Sequence, residues 1–319
     1  MKSKRELRQY YNKSIAPHVY DLEAEAKKHH SSANFWTIII LAMFVIAFFG
    51  NSMLSGIFGP IFFFTFVVVF VMAIRLSRAS SVIEKKYIKL IFKPLLKEIS
   101  PSLKFYPKKG ISSSLLKKSR IYPKGYDTFK SNNLCKGIVD GRLIRFANVE
   151  LSEEGRKDGS VAVFEGLYID TSMKKKFDGT LCIYPDYEEL FLGFFGKSLQ
   201  SGKLSDLQKI TLDSPLFEKY FKIYTDNPVQ APYILTHSMM ERILLIREKT
   251  RKLAAFGRLS ITFSQNKVFL GINGYTGILQ PSQNNENSSY FSFDNIEHQV
   301  DLLEFIIGLS DELNLESVA

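Results

Sequence analysis

Cysteine is scarce in this chain and poorly placed for chemistry. There are two in 319 residues, Cys135 and Cys182, with no C-x-x-C pair and no histidine close to either. That excludes a disulfide scaffold and a cysteine-rich metal site. Both are expected as buried, reduced thiols. Histidine is also sparse: His18, His29, His30, His237 and His298 make up the set. The adjacent His29 and His30 read as a solvated flank rather than a metal site. No H-E-x-x-H and no G-x-S-x-G occurs, so neither zinc-dependent nor serine-dependent hydrolysis is written in those forms. The adjacent carboxylates Glu153-Glu154 and Glu188-Glu189 read as solvated charge rather than as an acid–base pair. No internal repeat is present.

Charge of either sign is missing from Ser31 to Ile74. Two apolar runs fill that window, residues 33–50 and 57–76, separated by the short polar stretch Asn51–Gly56. Each approaches the ~20 residues with which a helix crosses the hydrocarbon core. The expectation is an N-terminal two-helix transmembrane hairpin, integral in the lipid bilayer with two spans, and with Trp36 at an interface. Lys and Arg crowd both flanks and not the turn, which places both termini in the cytoplasm.

The net charge of +10 is uneven. Residues 1–110 hold 17 Lys and Arg against 6 Asp and Glu, and residues 111–319 hold 25 against 26. A basic groove for nucleic acid across the second part is therefore not expected. The basic surplus near the bilayer would hold topology and meet anionic headgroups.

The chain divides accordingly. Residues 1–32 form a cytoplasmic N-terminal arm, 33–76 the transmembrane hairpin, 77–100 a basic amphipathic helical connector, and 101–319 a cytoplasmic α+β domain. Residues 4–29 read as partly amphipathic helix with a break at Pro17. Residues 80–99 place Ile83, Tyr87, Ile91 and Leu95 on one stripe, with a kink expected at Pro94.

Beyond residue 101 the texture changes. Asp140-Gly141, Asp158-Gly159 and Asp178-Gly179 are strong hairpin signals. Strand-like runs at 143–151, 160–169 and 180–185 lie beside them and read as an antiparallel meander. Further strands are expected at 209–212, 219–225, 258–263 and 267–272, the last two joined by Ser264-Gln265-Asn266. Two helices stand out. One runs from His237 to Arg251 after Thr236, with Ser238 and Glu241 at capping-box spacing. The other covers 295–313, opens at Asp294, and carries Ile296, Val300, Leu303 and Ile307 as its stripe. Residues 280–290 form a polar loop. The fold class expected is α+β: the hairpin, then a mostly antiparallel sheet, open or rolled into a partial barrel, with two helices.

Three motifs invite a phosphate-binding reading. Gly193 to Ser198 ends like a phosphate-binding loop, but Phe191 stands where the first glycine belongs, and Phe194 and Phe195 crowd the loop. Gly271, Gly274 and Gly277 do not make G-x-G-x-x-G and read as turn glycines. Lys174, Lys175 and Lys176 form a basic tip, solvated or in contact with phosphate or with the membrane. No catalytic, cofactor-binding or metal-binding residue can be named, and no cofactor is implied.

Several segments resemble a bacterial membrane-protein family known as domain of unknown function 3137. They are residues 111–151, the stretch 163–186, and above all residues 212–246. There Phe217, Glu218, Phe221, Tyr224, Tyr233, Leu235, Thr236, Met240 and Glu241 fall on the family's pattern, while His237 departs from it. The resemblance implies fold and topology, a hairpin ahead of the soluble region, and location in the bacterial cytoplasmic membrane. It carries no activity. The function expected is a membrane-anchored, non-enzymatic binding or regulatory module with a protein partner or a second copy of itself, and no nucleic acid. The alternatives are a ligand-sensing two-helix effector with a nucleotide-binding β-rich domain, and a hydrolase with a site that spacing does not reveal.

Overall fold

The computed structural model describes residues 4–20, 22–24, 84–123, 125–154, 159–173, 177–186, 206–253, 257–274, 291 and 293–313, together with residues 67, 71, 82 and 204. It divides into two compact units. One comprises Met1–Glu98 with Pro281–Ile296, and the other Ile99–Gln280 with Glu297–Ala319.

In the first unit, helix α1 (Lys4–Tyr10) runs into a π-helical turn, Tyr11–Ile15. Leu7, Tyr11, Ile15, Val19 and Leu22 are buried at spacings of three and four residues, one face of a continuous helix. A second π-helical turn, Ile88–Phe92, leads into α2 (Lys93–Ile99). The helix does not break at Pro17. Its ring would clash with the carbonyl four residues back and has no N–H to offer it. The π turn widens the chain there: Ala16 N–H donates to Tyr11 O, five residues back. Pro94 is met in the same way, by Lys93 N–H donating to Ile88 O. Both π turns end two residues before a proline. Of the expected stripe on the second helix, Tyr87, Ile91 and Leu95 are buried. The two helical stretches meet aromatics at and just before the start of the last helix. Tyr11 donates to Phe291 O and packs edge-on against Phe293, while Tyr87 stacks on Phe291 at 5.6 Å.

The fold class needs one correction, the transmembrane hairpin. Among the described residues no helix is long and apolar enough to cross a membrane. The long helices that are described have one apolar face packed on protein and one polar face, and a bilayer core admits no such polar face. The apolar runs 33–50 and 57–76 lie outside the described residues, except for the helical Val67 and Val71.

The second unit is built on nine antiparallel strands in the order β1-β2-β3-β4-β9-β8-β5-β7-β6. They are β1 (Lys104–Tyr106), β2 (Thr128–Val139), β3 (Arg142–Glu154), β4 (Ser160–Ser172), β5 (Thr180–Pro185), β6 (Gln208–Ile210), β7 (Phe221–Thr225), β8 (Arg258–Ser264) and β9 (Lys267–Asn273). The hairpin β2–β3 closes through Asp140 and Gly141, both at positive φ, the primed turn that suits strand twist. Gln265 and Asn266 do the same for β8–β9. The expected meander is corrected: β5 does not lie beside β4, because the β8–β9 hairpin is inserted between them. The β4–β5 connection through Asp178-Gly179 is therefore not a hairpin. Among the described residues β1 and β6 remain edges, and no barrel closes.

The central strands are buried on both faces. One face presents Leu181, Ile183, Leu259, Ile261, Phe263, Val268, Leu270 and Ile272, all almost wholly inaccessible. It is covered by α6 (His237–Leu253), which lies on β8; the last helix is α7 (Phe293–Glu312). The short helices α4 (Pro215–Tyr220) and α5 (Ala231–Ile234) precede α6. Residues 219–220, expected as strand, end α4 instead. The cap of α6 is Thr236, whose Oγ1 accepts from Met239 N–H, rather than a Ser238–Glu241 box. The ends of α6 and α7 are tied together: Arg242 Nη1 donates to Glu312 O at 3.0 Å and Lys249 Nζ to Glu312 Oε1 at 2.5 Å. Arg142 of β3, buried, reaches Asp311 of α7 at 3.0 Å. The opposite face of the sheet is roofed in part by α3 (Ser113–Ser119). Its Leu116 joins Leu134, Val149, Leu151, Phe164, Tyr168 and Phe269 in a core.

Candidate functional site

One register row crosses all nine strands. It reads Lys104, Lys136, Arg145, Asp170, Phe269, Thr262, Cys182, Tyr224 and Lys209, each opposite the next. By strand alternation these side chains share the face that α3 partly roofs.

The centre of this row is sealed. Cys182 is fully buried, and its Sγ lies 3.7 Å from the Thr262 hydroxyl, which donates to it. Burial pushes the Cys182 thiol up, and the Cys135 thiol likewise. Both cysteines are free. Neither is a nucleophile in that state, since the thiolate is the reactive form. Tyr184 donates to Arg120 O at 2.5 Å, and burial raises its phenol well above the ordinary value. Tyr168 is buried in the core under α3, and burial, then the nearby Asp170 carboxylate, push its phenol up too.

Two ion pairs frame the centre. Asp170, only 1% exposed, accepts from Arg145 Nε at 2.9 Å and Nη2 at 2.7 Å. This bidentate fork compensates a carboxylate that could not stay charged alone in the interior. Arg120, the left-handed C-cap of α3, holds Asp206 the same way at 2.9 and 2.6 Å. That hydrogen bond keeps the Asp206 carboxyl below its usual range. Leu204 and Leu207, on either side of Asp206, pack over Cys182 and Tyr184.

The β1 end of the row is open. Lys104 and Lys136 are exposed, and both Lys109 and Lys136 lie over the Tyr106 ring, at 5.5 and 5.3 Å. The backbone beneath is tightly fixed. β2 bulges between Asn132 and Cys135, and the bulge receives the turn after β1: Asn133 N–H donates to Pro107 O and Leu134 N–H to Lys109 O. Gly137 passes so close beneath residue 102 that a Cβ there would sit 2.3 Å from Ser102 O. This edge escaped the sequence reading. Residues 99–139 hold nine Lys or Arg against one carboxylate, Asp127. Dividing the charge at residue 110 splits that segment and averages it away.

The motifs singled out in sequence are not gathered here. Residues 189–202, Lys174–Lys176, His29, His30 and Glu188-Glu189 lie outside the described residues. His18 and His237 are exposed, in different units. Gly271 is a strand residue facing Ile121 and Phe164, and Gly274 a turn residue at φ +90°. Glu153 and Glu154 end β3. Of the family-pattern residues, Phe217 and Phe221 are core aromatics in contact at 4.9 Å, and Tyr233 is exposed. Among the described residues no three His, Cys, Asp or Glu side chains are grouped as metal ligands.

No curated protein matches the chain. A solved structure, the mycobacterial trehalose monomycolate transport factor A, TtfA, aligns at 12% identity over 69% of this chain and 93% of that one. Its TM-score is 0.34, and neither fold nor function follows from it. A family model does match, from β4 to the end of α7, a region that leaves out residues 33–76. Over residues 162–315 the chain carries the region of the family described as "Protein of unknown function (DUF3137)", the family its sequence resembles.

Proposed function

We propose that the protein is a non-catalytic binding or regulatory module at the inner face of a bacterial cytoplasmic membrane. The observation that carries this reading is the contrast along the register row. The Cys182 thiol at its centre, and the Tyr184 and Tyr168 phenols two residues from the row on the same face, are buried and driven towards their neutral forms, and the carboxylate there is bound by arginine. Nucleophilic and general-acid–base catalysis need the reverse: an accessible group whose pKa is drawn towards the working pH. What the domain offers to solvent is charge and shape.

Thermal unfolding of the full chain against nucleotides, cyclic nucleotides and divalent cations tests the reading. A ligand at one hundred times its dissociation constant stabilises by about 2.7 kcal/mol. No shift across the panel is the expected outcome. A clear shift with a nucleotide, followed by its turnover, would overturn the proposal.

A further inference from the structure

The open end of the row begins with three opposed cations, Lys104, Lys136 and Arg145. Like charges opposite one another repel across a ladder. Among the described residues only Arg145 has a carboxylate to answer it, Asp170. Among the described residues no carboxylate pairs with Lys104, Lys136, or with Lys108 and Lys109 in the following turn. On the same side, one pair nearer the β2–β3 turn, Ile138 faces Leu143, and the two are 63% and 39% exposed. The free protein therefore holds unneutralised lysines beside apolar side chains in water. A surface with negative charge outside and hydrocarbon beneath relieves both at once.

We propose that the β1–β2–β3 edge docks on an anionic lipid bilayer. Ile138 and Leu143 enter the headgroup layer, and Lys104, Lys108, Lys109 and Lys136 meet lipid phosphates. The inference rests on the reading of the protein as a binding module and names its partner.

Two features favour a bilayer over nucleic acid or an acidic peptide. The open cations are lysines, compact charges on flexible stems that reach towards a diffuse field. The one guanidinium in the row, which could grip phosphate bidentately, is taken by Asp170. The aromatic that could stack a base, Tyr106, packs against the core under α3 and carries Lys109 and Lys136 on its ring. Asp140 in the turn is exposed and limits entry to the headgroup layer.

The test uses the full chain with Ile138→Cys carrying a polarity-sensitive dye. Cys135 and Cys182 are both 0% exposed and do not compete for the label. A dye at 138 reports this edge alone, whatever other segment holds lipid. Vesicles of phosphatidylcholine are compared with vesicles about one-third phosphatidylglycerol. A saturable blue shift is expected with the anionic vesicles only. Lys104→Ala with Lys136→Ala should weaken it about thirtyfold, at about a fivefold loss per lysine. Lys108→Ala with Lys109→Ala gives a second variant that leaves the β1–β2 ladder untouched. The shift should vanish at ~1 M salt, where screening acts within ~3 Å. No shift on anionic vesicles would overturn the proposal, as would an equal shift on neutral ones. So would tighter response to polyglutamate or an oligonucleotide. A nucleotide-dependent melting shift followed by turnover would sink the binding-module reading and leave the dye result standing; a silent dye sinks the docking alone.

Discussion

The centre of the sheet and its β1 edge are made by the same ladder, yet they treat polar groups in opposite ways. At β9, β8 and β5 both faces are covered, and cysteine and tyrosine are held neutral. At β1 and β2 one face is uncovered beyond the reach of α3, and its lysines stand exposed to water. Desolvation decides between the two outcomes: a charge carried into the interior must be paired, as Asp170 is, or lost. The centre is therefore the source of stability, and the edge is the surface we propose for docking.

The largest effect that can test this contrast is at the centre. Ile261→Ala removes a side chain enclosed between Ile183 and Leu270 and should lower the unfolding free energy by about 2–5 kcal/mol. Lys104→Ala, on the same sheet, should stay within about 0.5 kcal/mol in the same denaturant titration. Equal losses would end the division between the two regions. Next in size is Asp170→Asn. It strands a guanidinium whose side chain is 24% exposed, so the loss should fall below the roughly 3–5 kcal/mol of a fully buried pair. Replacing both partners together, Arg145→Leu with Asp170→Leu, should recover most of that loss. A double variant worse than the single one would show that the pair acts beyond charge compensation.

The smallest effect is the pH response of the Arg120–Asp206 pair. The hydrogen bond from Arg120 lowers the folded pKa of Asp206 from its ordinary 3.8. Its contribution is complete above the unfolded value and fades as pH falls through the folded one. Asp206 is 54% exposed, so the amount is under about 1 kcal/mol. Comparing acid unfolding of the protein with that of Asp206→Asn checks it; a difference that appears only below pH ~3 would reverse the sign.

Much of this was legible in advance. Strands β3, β4, β5, β8 and β9 follow from alternation and primed-turn residues. Helices α6 and α7 follow from their stripes, because these signals act within a few residues. The proline at position 17 misled: it read as a break, whereas a π turn absorbs it, as another does ahead of Pro94. β1 is three residues long, too short for a pattern, and exists because the β2 bulge receives the turn that follows it. The basic edge needed a charge count over the right window, which only the strand boundaries define.

What the sequence determined by itself is local: which stretches extend, which coil, where the chain reverses, and how much charge each segment carries. The tertiary structure alone decided that β8 and β9 enter between β4 and β5. It also set Asp170 against Arg145, and left Lys104 and Lys136 opposed on an open face. Hydrophobic periodicity specifies that a face must be buried but not against what. Pairing partners are chosen by the cooperative packing of segments a hundred residues apart, and the chemistry of this protein's surface is a consequence of that choice.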